Sequence, residues 1–226
     1  MRLAQLTLWD MKFQAKYGFY LLYGILTVLY IVILFALPEE WRGKAAALLI
    51  FSDPAAMGLF FMGAVVLLEK SQKVPCALAT SPVSAAEYVI AQTVSLCSIA
   101  LIVAGILALA AKLPHLPGVL LGTALSGIMF TLFGIVIATK ITSLNQFVLY
   151  TVPVEVIGFV PAILHLFKLL PTGFGNYPAN VCMDMIAGNS VSAAGLLVVI
   201  ASILILFFLA ERSILKMWKS AGGVKL

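Results

Sequence analysis

Two carboxylates stand in apolar surroundings where a charge is costly. Glu155 lies in TVPVEVIGF and Asp53 in FSDPAAM. A carboxylate placed inside a membrane costs about 2.5–3.5 kcal/mol on insertion scales, so each marks either a functional lining or a structural pairing. The functional reading makes both of them lining residues of a translocation path that meets a cationic substrate. The structural reading makes Asp53 a helix N-cap ahead of Pro54 near the outer interface, and Glu155 a paired or protonated acid between helices. Phe60 and Phe61, with Phe51, Met57 and Met62 around them, either line an apolar substrate cavity or pack between helices and against lipid.

Other chemistries lack their residues. The chain has no G-x-x-x-x-G-K-[ST] phosphate loop and no H-E-x-x-H, and its two histidines, His115 and His165, are far from any carboxylate cluster in sequence. Ser81 and Ser126 have no histidine placed to activate them, so nucleophilic hydrolysis has no support. Cys76, Cys97 and Cys182 have no metal-type spacing and make an odd set. No catalytic residue, metal site or cofactor is expected in this chain.

The third chemistry-bearing segment is EKSQKVPCALATSPVSAAEY, Glu69 to Tyr88. It has charges at both ends, prolines at 75 and 82, and an alanine-rich patch between them. It is too long for a turn. It reads either as a docking surface that receives a push from a soluble partner or as a plain connector with a short amphipathic helix.

The elements that position these residues are membrane helices. The 226 residues are 63% hydrophobic and 10% charged, with a mean hydropathy of +1.13. A soluble domain carries about 25% charged residues. Runs of about 20 apolar residues cross a bilayer as helices, and continuous rather than alternating runs exclude barrel strands. Six segments qualify, at about 17–37, 46–68, 88–111, 118–139, 146–167 and 191–210. The fold class is therefore all-α, a polytopic membrane protein with six transmembrane helices in a single transmembrane domain. The first apolar run begins after Lys16 and is of spanning length, which reads as a retained span rather than a signal peptide.

Lysine and arginine orient the spans. With the N-terminus inside, the inner face holds Arg2, Lys12, Lys16, Lys70, Lys73, Lys140, Arg212, Lys216, Lys219 and Lys225, and the outer face Arg42, Lys44, Lys112 and Lys168. Both termini and the 69–87 loop are then cytoplasmic. The net charge of +5 follows from this topology and does not point to nucleic acid. Residues 1–16 read either as an interfacial amphipathic helix or as an extension of span one with a basic flank, residues 171–190 as a re-entrant or interfacial outer segment opened by Pro171, Gly173 and Gly175 or as an ordinary outer loop, and residues 212–226 as a basic cytoplasmic tail. Gly58, Gly63, Gly122, Ser126, Gly127 and Gly134 allow close helix approach.

These features together resemble the ABC-2 type permease subunits, most closely the subgroup of fluoroquinolone-export permeases. The resemblance is sharpest in IFSDPAAMGLFFMGAVVLLEKSQKVPCALATSPVSAAEY, Ile50 to Tyr88. It shows in Glu69 closing span two, then Leu78, Ser81-Pro82, and Glu87-Tyr88 entering span three. The resemblance implies a type II exporter fold in which Ala77, Leu78, Ala79 and Thr80 form a coupling helix, bordered by Glu69, Ser81, Pro82 and Glu87, that docks on a separate ABC ATPase. It implies a second permease subunit, identical or a sister, and ATP with Mg held by the ATPase. It also implies a bacterial cell-membrane location and export of a hydrophobic or amphipathic substrate such as a drug. A lipid, haem or peptide substrate, or a non-transport sensor or assembly role, are the alternatives.

Overall fold

A computed structural model describes residues 2–221. Among these residues all regular structure is helical, and six helices are long and apolar enough to cross a membrane, so the all-α polytopic expectation holds. The chain opens with α1 (Arg2–Lys16), turns at Gly18 and enters α2 (Phe19–Ala36). The second crossing is one continuous 33-residue run, Glu39–Ser71. It consists of α3 (Glu39–Ala56), a π-helical turn (Met57–Phe61) and α4 (Met62–Ser71). After the short α5 (Val74–Ala79) come α6 (Ala85–Ala110), α7 (Leu116–Lys140) and α8 (Leu144–Leu166). The short α9 (Pro178–Ala187) and the long α10 (Ala193–Ala221) complete the fold.

The second crossing begins seven residues before the apolar run at Ala46. Glu39 and Glu40 sit in its first turn, where carboxylates offset the positive end of the helix dipole. Asp53 is therefore inside α3 and not an N-cap, which corrects the capping reading of FSDP. Pro54 cannot give an N–H to the turn before it, and the helix widens to a π turn three residues later.

Helix α7 is the centre of the bundle, packing against α6, α9, α10 and the whole second crossing. Its contact with the π turn is close. A Cβ on Gly134 would lie 2.5 Å from the Gly58 carbonyl oxygen, and one on Gly58 would lie 2.5 Å from the Thr131 backbone nitrogen. Two glycines thus let two backbones touch, as the small-residue pattern anticipates. Phe51, Phe130 and Phe159 pack edge to face and tilted beside this contact, at 5.7–6.1 Å between centroids.

Helix α9 folds back into the bundle. It buries Ala179, Val181, Cys182, Met183 and Ile186 against its neighbours. Gly188, at φ 78°, ends it in the left-handed conformation glycine favours. Two hydrogen bonds tie it to the last turn of α8 and the start of α7, His165 Nε2 with Asp184 Oδ2 at 2.8 Å and His115 Nε2 with the Ile186 carbonyl at 2.8 Å. Residues 212–221 are helical. They continue α10 and bury Ile214, Met217 and Trp218 on the bundle; residues 222–226 lie outside the described structure.

Candidate functional site

The segment from Glu69 to Tyr88 is closed at its own neck. Glu69, in the last turns of α4, and Tyr88, in the first turn of α6, are both about 1% exposed. The Tyr88 hydroxyl donates to Glu69 Oε2 at 2.6 Å. A turn further along α6, Gln92 Nε2 donates to Glu69 Oε1 at 3.2 Å and to Asp10 Oδ1 of α1 at 3.2 Å. Gln14, one turn beyond Asp10, donates to Ser95 Oγ at 2.8 Å. Trp218 of α10 meets the Tyr88 ring edge to face at 5.7 Å. Four helices, α1, α4, α6 and α10, therefore converge on one buried polar junction at the end of the bundle that carries the N-terminal helix.

A second tie fixes the start of the loop. Lys70 Nζ donates to the carbonyls of Ala138, Thr139 and Ile141 at 2.8–3.1 Å. An ammonium there satisfies acceptors that the end of α7 leaves open and complements the helix dipole. Lys70→Met is expected to lower stability by about 1–3 kcal/mol, since the carbonyls lose their donor; a fall in melting temperature of the purified protein checks this.

Between the ties the loop presents a small surface. The chain leaves α4 through Lys73, at φ 58°, and enters α5 with Pro75 buried beneath it. Ala77, Ala79, Thr80 and Pro82 are exposed, while Leu78 and Ser81 are half-buried. Thr80 Oγ1 donates to the Ala77 carbonyl at 3.1 Å and Ser81 Oγ to the Leu78 carbonyl at 2.8 Å, closing the C-terminal end of α5. Glu87 forms a reciprocal capping box with Ser84: its Oε2 accepts the Ser84 N–H at 2.8 Å, and Ser84 Oγ accepts the Glu87 N–H at 3.1 Å. The two bordering glutamates thus act differently, Glu69 by sealing the neck and Glu87 by starting α6.

Asp10 was not singled out by sequence, and neither were Gln14, Gln92, Ser95 or Trp218. Burial, and then the nearby negative charge of Glu69, push the Asp10 carboxyl up to about 8. A raised carboxylate pKa in the fold means that ionisation opposes folding. The contribution of Asp10 is most favourable below its ordinary value near 4 and declines as the pH climbs through 8. One signal was present in the sequence: Asp10 and Gln14, like Tyr88 and Gln92, are four residues apart and share a helix face. In α1 the polar pair faces the protein, while Leu8 and Trp9 are exposed, so the helix is amphipathic with its apolar side turned outward.

The four path candidates are not brought together. Asp53 is buried and hydrogen-bonds Tyr30 of α2. Phe61 packs on Phe19 and Tyr23 of α2, at 4.7 and 5.2 Å, whereas Phe60 packs on Phe147 of α8 at 6.1 Å. Glu155 is half-buried midway along α8. None of them lines the apolar cavity of about 300 Å³ between α7, α8, α9 and α10, whose walls include Phe130, Phe133, Ile157, Tyr177 and Leu206.

No protein-family model matches the chain. The chain is similar to the fluoroquinolones export permease proteins of Mycobacterium tuberculosis. In each of two strains the relative is 27% identical over 150 residues, covering 64% of this chain and 62% of the relative. The chain thus spans about three fifths of the length of the curated relatives it matches. This similarity bears out the resemblance to export permeases drawn from the segment Ile50 to Tyr88.

Proposed function

We propose that this chain is the membrane-spanning permease subunit of an ABC exporter, driven through α5 by a separate ATPase. The observation that carries the reading is the Glu69–Tyr88 closure. A short helix with an exposed face of alanines is held at both ends by buried bonds to the spans, so force on α5 passes to α4 and α6 together instead of dissipating in a loose loop. The similarity to export permeases supports the same direction. In this reading the loop is cytoplasmic, as the lysine and arginine bias requires. A second permease subunit, identical or a sister, completes the pathway in the bacterial cell membrane. ATP and Mg belong to the partner.

The outer faces of α2, α8 and α10 are apolar and largely exposed in the single chain, which suits contact with lipid and with a second subunit. The substrate is then hydrophobic or amphipathic, with drugs such as fluoroquinolones the first class to assay. Among the described residues Glu155 carries no hydrogen bond or ion pair within the chain, and its position in α8 suits a path residue. Glu155→Gln is expected to leave the melting temperature unchanged while altering transport rate or substrate range; unchanged rate and range would remove Glu155 from the path. The loop contact itself is tested by placing a photo-crosslinking residue at position 77 in the assembled complex. Crosslinks to the ATPase support docking by α5, and crosslinks confined to this chain contradict it.

A further inference from the structure

The junction beneath the loop holds more negative charge and more lone pairs than its own donors can satisfy. The Asp10 and Glu69 carboxylates both lean on a single amide group, that of Gln92, at 3.2 Å each. Glu69 has Tyr88 on its second oxygen. Asp10 Oδ2, Gln14 Oε1 and Gln92 Oε1 are buried and have no donor. These side chains are 98–100% withdrawn from solvent, with exposures of 2% for Asp10, 1% for Gln14 and Glu69, and 0% for Gln92.

No basic group of the described residues answers them. Lys70 is committed to the α7 carbonyls. Lys12 and Lys16 are exposed and lie about 200° and 240° around α1 from Asp10, on its far side. Helix α2 has no charged residue, and α10 offers the neutral Trp218 to this wall. The titratable groups that face Asp10 are Glu69 from α4 and Tyr88 from α6.

Two buried like charges without a counter-charge are strongly disfavoured, and each unpaired acceptor adds its own desolvation cost. One small cation removes both penalties. The candidate ligands are all oxygens, with no imidazole or thiolate, so the chemistry is that of a hard ion and not of a soft transition metal. We propose that Asp10, Gln14, Glu69 and Gln92 form a binding site for one small monovalent cation, a proton or an alkali-metal ion, seated where α1 meets both ends of the loop. As a proton on Asp10 Oδ2, the ion turns an orphan acceptor into a donor on the helix face that carries Gln14. As an alkali ion, it gathers the unpaired oxygens directly. In both forms it fastens α1 to α4 and α6, and its loss leaves the two carboxylates repelling and α1 loosened.

The site is independent of any transport role and is tested on the purified full-length chain in nanodiscs. Hydrogen-exchange protection of residues 3–16, corrected for intrinsic rates, is compared at pH 6 and pH 9 in choline chloride, and at pH 9 in sodium chloride or potassium chloride. Protection of α1 is expected to fall at least about tenfold from pH 6 to pH 9 in choline, while the core of α7 stays protected. Recovery in sodium or potassium names an alkali ion as occupant; no recovery names the proton. Asp10→Asn is expected to abolish the response, and Glu69→Gln serves as an independent variant with the same expectation. Wild-type protection that is equal in all four conditions overturns the proposal, as does a wild-type response retained in both variants.

Discussion

Gly134→Val is expected to abolish assembly of the bundle. A β-carbon at this position meets the Gly58 carbonyl oxygen at 2.5 Å, Met62 Cβ at 2.9 Å and the Leu59 carbonyl oxygen at 3.0 Å. Two of these are backbone atoms, which no rotamer change can move, so α7 and the π turn must part. Overpacking a tight interface costs about 1–3 kcal/mol, occasionally more, and valine adds two methyl groups beyond the β-carbon. Because α7 touches nearly every other span, separation there reaches the whole bundle. The expected result is loss of monodisperse protein in detergent, with Gly134→Ala intermediate. Gly105→Val is the control, since a β-carbon there meets nothing within 4 Å. Wild-type yield and melting temperature for Gly134→Val would contradict the packing account.

The second large effect is functional. Ala77→Asp combined with Ala79→Asp is expected to leave insertion and melting temperature unchanged, because both side chains are exposed, while reducing ATP-driven transport more than about tenfold. An unpaired charge buried on docking costs about 2–5 kcal/mol, and each 1.4 kcal/mol is about tenfold in affinity. Leu78 is left intact because it packs partly against the core, so a charge there would mix folding with docking. Transport in proteoliposomes, scored beside ATP hydrolysis by the same complex, checks it. A double variant that transports at the wild-type rate would remove α5 from the drive.

The six crossings were legible because apolar runs of spanning length have few alternatives, and both helix ends fell near the expected residues for four of them; the last was expected to end near residue 210, but α10 runs on to Ala221. The second crossing was misjudged at its start, since Glu39, Arg42 and Lys44 look like loop residues until the helix dipole and the close packing of Arg42 on the Leu34 carbonyl, at 3.1 Å, are seen. The close approach of Gly58 and Gly134 was readable as small residues, but their pairing was not, because sequence does not say which helices face each other. The loop was visible as an anomaly with Glu69 and Glu87 at its borders. What was not visible is that Glu69 bonds the residue that ends the segment, Tyr88, and that α1 supplies Asp10 to the same junction. Residues 1–16 were read as an interfacial helix, and an isolated amphipathic helix gives no sign of which face meets protein. Asp53, Phe60, Phe61 and Glu155 were grouped by residue type, and the fold disperses them: the neighbouring Phe60 and Phe61 leave the π turn in different directions and meet α8 and α2 respectively.

The account turns on energy entering from a separate ATPase through the Glu69–Tyr88 segment. The most direct measurement is uptake of a labelled fluoroquinolone into inside-out proteoliposomes holding this chain with its ATPase partner, compared with ATP and with a non-hydrolysable analogue. The predicted result is accumulation that requires both hydrolysable ATP and the partner subunit, and that stimulates hydrolysis as substrate is added across a panel that also includes lipid, haem and peptide. No member of the panel accumulating in an ATP-dependent way, or accumulation by this chain without the ATPase, would contradict it.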